Sequence, residues 1–188
     1  MLAKTVEDVC KYVGGLICKW PLCVETGSTY CIDKANLVHT TTNNIAHHVC
    51  LPNQGMLVSI DIDAEHQAAA SSVCDPAAYI QFICGDSAEV ISRLWEPQFF
   101  IGVKPHGGDG IDLLWLDSKE FDEDHAVNEF RAAEPYLSTK HFVMVDDIHN
   151  PNSVKYKKIV PLLKELGYSY VEIPTPTGLF LATRGYPI

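Results

Sequence analysis

The chain has no apolar run long enough to span a bilayer; its longest clean apolar stretches are strand-length. The opening residues, MLAKTVEDVCKYVGG, carry Glu7 and Asp8 and contain no hydrophobic stretch of the secretory type, so they do not read as a signal peptide. The expectation is a cytoplasmic protein with no membrane partner. Positive charge is scarce: 14 basic residues stand against 24 acidic ones, a formal net charge of −10. That field repels a phosphate backbone, so nucleic acid is not expected as a partner. The one basic cluster, Lys155-Tyr156-Lys157-Lys158, reads as the solvated face of a short amphipathic helix. The seven cysteines (Cys10, Cys18, Cys23, Cys31, Cys50, Cys74, Cys84) form no C-x-x-C pair and are odd in number. Neither a zinc site nor a disulfide framework fits that spacing, which leaves buried thiols packing as small hydrophobes. There is no G-x-S-x-G elbow, which speaks against an α/β-hydrolase. There is no G-x-G-x-x-G after the first strand, which disfavours a nucleotide-dependent oxidoreductase.

What is present is the balance of an ordinary globular chain, 188 residues with 47% hydrophobic and 20% charged, enough for one well-filled core. With no repeat and no linker, a single domain over 1–188 with an N-terminal helix in 1–19 is the reading. Within that helix Val6, Val9, Cys10, Val13, Leu16 and Ile17 share one side of residues 5–19. Strands and helices then alternate. Strands are expected at 22–25, 56–62, 79–84, 111–116 and 142–145. Helices are expected at 40–50, 64–73, 87–95, 123–136 and 154–166, with Gly167 as the last C-cap. Residues 168–173 and 179–183 face each other across Pro174–Gly178 as a closing antiparallel hairpin. This alternation is the pattern of a largely parallel sheet covered on both faces. Two segments, 28–39 and 97–110, are longer than ordinary loops, and long loops in compact domains tend to be functional.

In an open parallel sheet, ligands bind beyond the carboxyl ends of the strands. The polar residues fall at those ends in succession: Glu25 and Gly27 after the first strand, Asp61 and Asp63 after the second, Gly85, Asp86 and Ser87 after the third, Asp117 after the fourth, Asp146 and Asp147 after the fifth. One such acid reads equally well as a solvent-facing cap; a whole row reads as a shared site, because buried charges need partners. An adenosyl ligand carrying a cation suits the row. Asp61 would accept both ribose hydroxyls, Gly27 would let backbone approach the ligand, Asp86 and Ser87 would meet the adenine edge, and Glu25 would add negative charge near a sulfonium.

The ordered segments VETG (Val24 to Gly27), SIDID (Ser59 to Asp63), CGDS (Cys84 to Ser87), DLLWLDS (Asp112 to Ser118) and FVMVDD (Phe142 to Asp147) resemble the motif series of class I S-adenosylmethionine-dependent methyltransferases over residues 20–185. Within that class they resemble small-molecule O-methyltransferases of the catechol and cephalosporin-hydroxylase-like groups. The resemblance implies a Rossmann-like three-layer α/β sandwich with a mostly parallel seven-stranded sheet whose last strand is antiparallel. It implies S-adenosylmethionine as cofactor, a small hydroxylated acceptor, and Glu25, Gly27, Thr41, Asp61, Gly85, Asp86, Ser87 and Asp117 at the cofactor. Thr41 stands where such enzymes place a hydroxyl near the methionine carboxylate. The glycine-rich loop is thinned to Gly27 alone, a departure that touches the methionine end. Asp117, Asp146 and Asp147 match the acids that bind Mg²⁺ in catechol-type enzymes, with Lys119 placed to take the acceptor proton and Asp117 beside it. The plainer reading keeps Asp117 on the cofactor, Asp147 as a turn cap and Lys119 as a solvated lysine. Among the histidines, His125 and His149 lie near these motifs and read as ordinary helix and loop residues. A non-catalytic adenosyl-binding protein of the same fold stays open as the alternative, and the reading leaves room for a homodimer.

Overall fold

A computed structural model of the chain describes residues 4–17, 19–27, 41–74, 78–96 and 110–188. Helix α1 (Val6–Leu16) opens at Thr5, whose hydroxyl accepts from the Asp8 amide while the Asp8 carboxylate reaches back to the Thr5 amide. Strand β1 (Leu22–Thr26) follows. The next helical segment, α2 (Thr41–Ile45), runs through a π-helical stretch, Ala46–Cys50, into α3 (Leu51–Asn53). The helix expected over 40–50 therefore continues past Cys50 to Asn53, with Gln54 in the left-handed conformation closing it. Gly14 makes this packing feasible: a Cβ there would stand 2.0 Å from the carbonyl oxygen of His48. Strand β2 (Met56–Asp61), α4 (Ala64–Val73), β3 (Tyr79–Cys84), α5 (Ser87–Arg93), β4 (Ile111–Leu116), α6 (His125–Ala133), β5 (Leu137–Asp146), α7 (Tyr156–Glu165), β6 (Ser169–Ile173) and β7 (Leu179–Arg184) complete the order.

The strands form one seven-stranded sheet in the order β3-β2-β1-β4-β5-β7-β6. The first five run parallel, and β7 pairs antiparallel with both β5 and β6. The expected mostly parallel sheet with an antiparallel last strand is what the chain builds. Two core clusters follow from the two-residue period of a strand. Leu22, Val24, Leu114 and Leu116 point to one face, with Ile91, Phe130 and Ile159 from α5, α6 and α7. Cys23, Leu113 and Trp115 point to the other, with Val9, Val13 and Cys10 from α1 and with Ile45 and Val49. Of the cysteines, Cys10, Cys23 and Cys50 are buried free thiols as expected, whereas Cys84 is exposed; Cys18 and Cys31 lie outside the described residues. Among the described residues no helix is long and apolar enough to cross a membrane.

Two boundaries moved for identifiable reasons. α6 begins at His125 rather than 123, because the Asp122 carboxylate accepts from the amides of Asp124 and His125 and sets the helix start there. β5 is ten residues long, where alternation suggested only 142–145. Its polar first half is paired internally: His141 meets the Ser138 carbonyl at 2.6 Å and the Tyr168 hydroxyl at 2.7 Å.

Candidate functional site

β1 has β2 on one side and β4 on the other, so chain order reverses at the β1/β4 boundary, the place where a doubly wound sheet opens a crevice. A cavity of about 300 Å³ lies there, lined by Gly27, Ile60, Asp61, Ile62, His66, Gly85, Asp86, Ser87, Asp117, Ser118, Lys119 and His125. Each follows or ends one of the four strands, except His66 at the start of α4 and His125 at the start of α6.

Gly27 holds the junction. Its φ is +78°, and a Cβ would come within 2.5 Å of the Asp117 carbonyl oxygen, because the chain leaving β1 crosses directly against the chain leaving β4. The demand for glycine here comes from protein backbone and not from a ligand alone. Gly27→Ala is expected to cost on the order of 2–4 kcal/mol, from the left-handed conformation plus the backbone clash. Thermal denaturation should then show a Tm lower by roughly 5–15 °C, and an unchanged Tm would contradict the close approach.

Asp61 ends β2 at the cavity wall. Its Oδ1 accepts from the Asp63 amide at 2.7 Å, and His66 Nδ1 stands 3.9 Å from Oδ2. Asp63 caps α4 by accepting from the Glu65 and His66 amides. Asp86 caps α5 and receives the Lys119 ammonium at 3.0 Å, so the two loops after β3 and β4 are joined across the cavity mouth. Burial raises the Asp86 carboxyl, but Lys119 and the Glu89 amide more than offset it and hold it below its ordinary value. Lys119 thus spends its charge on Asp86 in this structure.

At the cavity lining, Ser87, Ser118 and His125 meet the buried Glu129 in one network. Both serine hydroxyls donate to Glu129 Oε1. With the one Ser87 proton given to Glu129, His125 Nε2, 3.0 Å from the Ser87 oxygen, must be the donor in their bond. The same nitrogen lies 3.3 Å from Glu129 Oε1. A hydrolytic triad needs serine and acid on opposite ring nitrogens; here both meet Nε2, so the network braces the cavity lining and does not arm Ser87. Ser118 was legible only as part of its motif. The signal for Glu129 was its i,i+4 spacing from His125, which places the two side by side on a helix.

Four expected residues, Thr41, Glu25, Asp146 and Asp147, lie outside the cavity lining. Thr41 is buried at the first turn of α2. Glu25 is fully buried, with Oε2 accepting from the Ser59 hydroxyl at 3.0 Å and Oε1 without a partner among the described residues. Burial pushes its carboxyl up to about 8, against the lowering effect of the Thr42 hydroxyl, which lies near it outside hydrogen-bonding geometry, and of the Ser59 hydroxyl. It is therefore protonated at neutral pH in this state and supplies no standing negative charge. Asp146 is pushed up to about 7, first by burial and then by the charge of Asp117.

The acids beyond β4 and β5 gather differently from the expected trio of Asp117, Asp146 and Asp147. The carboxylates that converge are Asp117, Glu120 and Asp147, within 4.8 Å of one another, and Asp146 is not one of them. Lys155 sits among the three, its Nζ 2.6 Å from Asp117, 2.7 Å from Glu120 and 3.8 Å from Asp147. The reading of Lys155 as part of a solvated basic face is corrected: the side chain is completely buried. Burial works to neutralise it, but the charge and hydrogen bonds of Asp117 and Glu120 win and hold the ammonium above its ordinary value. The Lys155 ammonium thus stands among the same carboxylate oxygens that a cation would use. The rest of the basic cluster is also paired, Lys158 with Asp124 at 2.8 Å and Lys157 with Glu123 at 3.7 Å. His149 stands 3.9 Å from Glu172, away from the cavity. Residues 28–39 and all but Gly110 of segment 97–110 lie outside the described residues.

No profile of a known protein family matches the chain, and no curated protein matches its sequence. Solved structures do. A methyltransferase from Geobacter sulfurreducens superposes with a TM-score of 0.61 at 12% identity, over 95% of this chain and 75% of that one. The N-methyltransferase NodS from Bradyrhizobium japonicum, in complex with S-adenosyl-L-homocysteine, gives 0.58 at 11% identity over 94% and 83%. A fibrillarin pre-rRNA processing protein from Methanococcus jannaschii gives 0.58 at 12% over 89% and 67%. At these identities the likeness is one of fold: the chain has the mixed seven-stranded, Rossmann-like architecture found in methyltransferases.

Proposed function

We propose that this chain is an S-adenosylmethionine-dependent methyltransferase acting on a hydroxyl group of a small molecule. The observation that carries the reading is the convergence of Gly27, Asp61, Gly85, Asp86, Ser87 and Asp117 on one cavity at the point where strand order reverses. Asp61 would hold the ribose hydroxyls from the tip of β2, with Ile62 beside it as an apolar face for the base. Asp86, Ser87 and His125 line the same cavity and would meet the adenine edge. When bound, S-adenosylmethionine supplies an electrophilic methyl on a positive sulfur. Glu25 lies buried at the end of β1 with an unpartnered oxygen, and a cation brought near it would draw its carboxyl toward the ionised form. Lys119 remains the nearest candidate to face an acceptor hydroxyl, provided its pairing with Asp86 opens when the site fills. The complex of NodS with S-adenosyl-L-homocysteine supports the cofactor class. The oxygen specificity rests on the motif resemblance.

Calorimetry with S-adenosylmethionine and S-adenosyl-L-homocysteine tests the cofactor, and turnover across a panel of hydroxylated acceptors tests the transfer. Asp61→Ala should weaken binding of both by about 10- to 100-fold, the worth of charge-assisted hydrogen bonds to two hydroxyls. Absence of binding by the parent protein overturns the reading. Binding without turnover on any acceptor favours a non-catalytic adenosyl-binding protein.

A further inference from the structure

We propose that Lys155 is the resident cation of this fold: its ammonium fills the position, beyond the carboxyl ends of β4 and β5, that a divalent ion would take between Asp117, Glu120 and Asp147. The geometry carries this. Three carboxylates from two strand-end loops converge on one point, and the side chain that meets them there comes from the residue just before α7. Nζ touches Asp117 and Glu120 at hydrogen-bonding distance and lies within ion-pair distance of Asp147, with no exposure to solvent. An ammonium and a hard metal ion ask for the same oxygen donors, so the two exclude each other. Lysine is tethered and cannot be chelated away, which leaves this rim independent of divalent ions. The proposal concerns the chain's own ion chemistry and holds whether or not methyl transfer is found.

The consequence is that removing the ammonium should create the ion site it now forecloses. Ca²⁺ is the natural probe, since it accepts irregular oxygen shells, with Mg²⁺ as the stricter one. In the parent protein, titration calorimetry should show no saturable binding of CaCl₂ or MgCl₂ at these carboxylates, and Tm should be the same with either salt as with EDTA. Lys155→Met should acquire calcium binding, raising its Tm over that in EDTA by about 5–10 °C once the ion exceeds its Kd a hundredfold. Adding Asp147→Asn to that variant should abolish the gain. Saturable calcium or magnesium binding by the parent protein that Asp147→Asn removes overturns the proposal, and that measurement needs no variant at position 155 to fold. A folded Lys155→Met that ignores both ions overturns it equally.

Discussion

Lys155→Met, unfolded in EDTA at neutral pH, should lose about 3–5 kcal/mol, because truncating one partner of a buried ion pair leaves the others uncompensated. For a chain of this size that is a Tm lower by roughly 6–20 °C. The parent's ammonium is held above its ordinary value, so its contribution is complete throughout the neutral range and fades only as pH rises through that elevated value. The variant should behave oppositely. Without the ammonium, the three carboxylates of Asp117, Glu120 and Asp147 face one another as uncompensated like charges at neutral pH. Its deficit should therefore shrink as pH falls toward the carboxylate range and widen again above it. Circular dichroism melts from acid to neutral pH read this directly. Equal melting temperatures for the two proteins at neutral pH would show that Lys155 neutralises nothing.

Glu25→Gln should have the opposite sign. In the folded chain the Glu25 carboxyl keeps its proton up to about 8, whereas its ordinary value is 4.5. Between those limits the folded state binds more protons than the unfolded one, so stability falls as pH rises, and the full cost is present only above the upper limit. The separation corresponds to a ceiling of about 5 kcal/mol. An amide resembles the protonated carboxyl, so Gln should change little in acid and stabilise the protein increasingly toward alkaline pH. Urea melts across that interval measure the difference; parallel pH profiles for parent and variant would mean that Glu25 is not the buried acid described above. A shallower decline should remain in the variant up to neutral pH, from Asp146, whose carboxyl is held up to about 7 by burial and by Asp117. Under the methyltransferase reading, affinity for the cationic cofactor should also tighten in the parent as pH rises toward 8 and stay flat in Glu25→Gln.

The fold was largely legible because its signals are local. Apolar strands such as Leu22–Thr26 and Met56–Asp61 are buried along their whole length, as parallel strands between two helical layers must be. Caps such as Asp63 and Asp86 sit next to the helices they start. The hidden parts were polar ones. The first half of β5 looked like loop because the partner of His141 is Tyr168, on the segment leading into β6. Lys155 looked solvated because, in one dimension, its neighbours are Tyr156, Lys157 and Lys158; the acids that claim it are 35 and 38 positions earlier.

By itself, then, the amino-acid order determined which residues stand at the carboxyl ends of the strands, since hydrophobic periodicity and turn chemistry act over a few neighbours. Tertiary structure alone decided what those residues do with their charge. It gathered Gly27, Asp61, Asp86, Ser87 and Asp117 around one cavity, withdrew Glu25 from water until its carboxyl holds a proton, and seated Lys155 among three carboxylates. Electrostatic energy depends on distances and on exclusion of solvent, and neither exists until distant segments have packed.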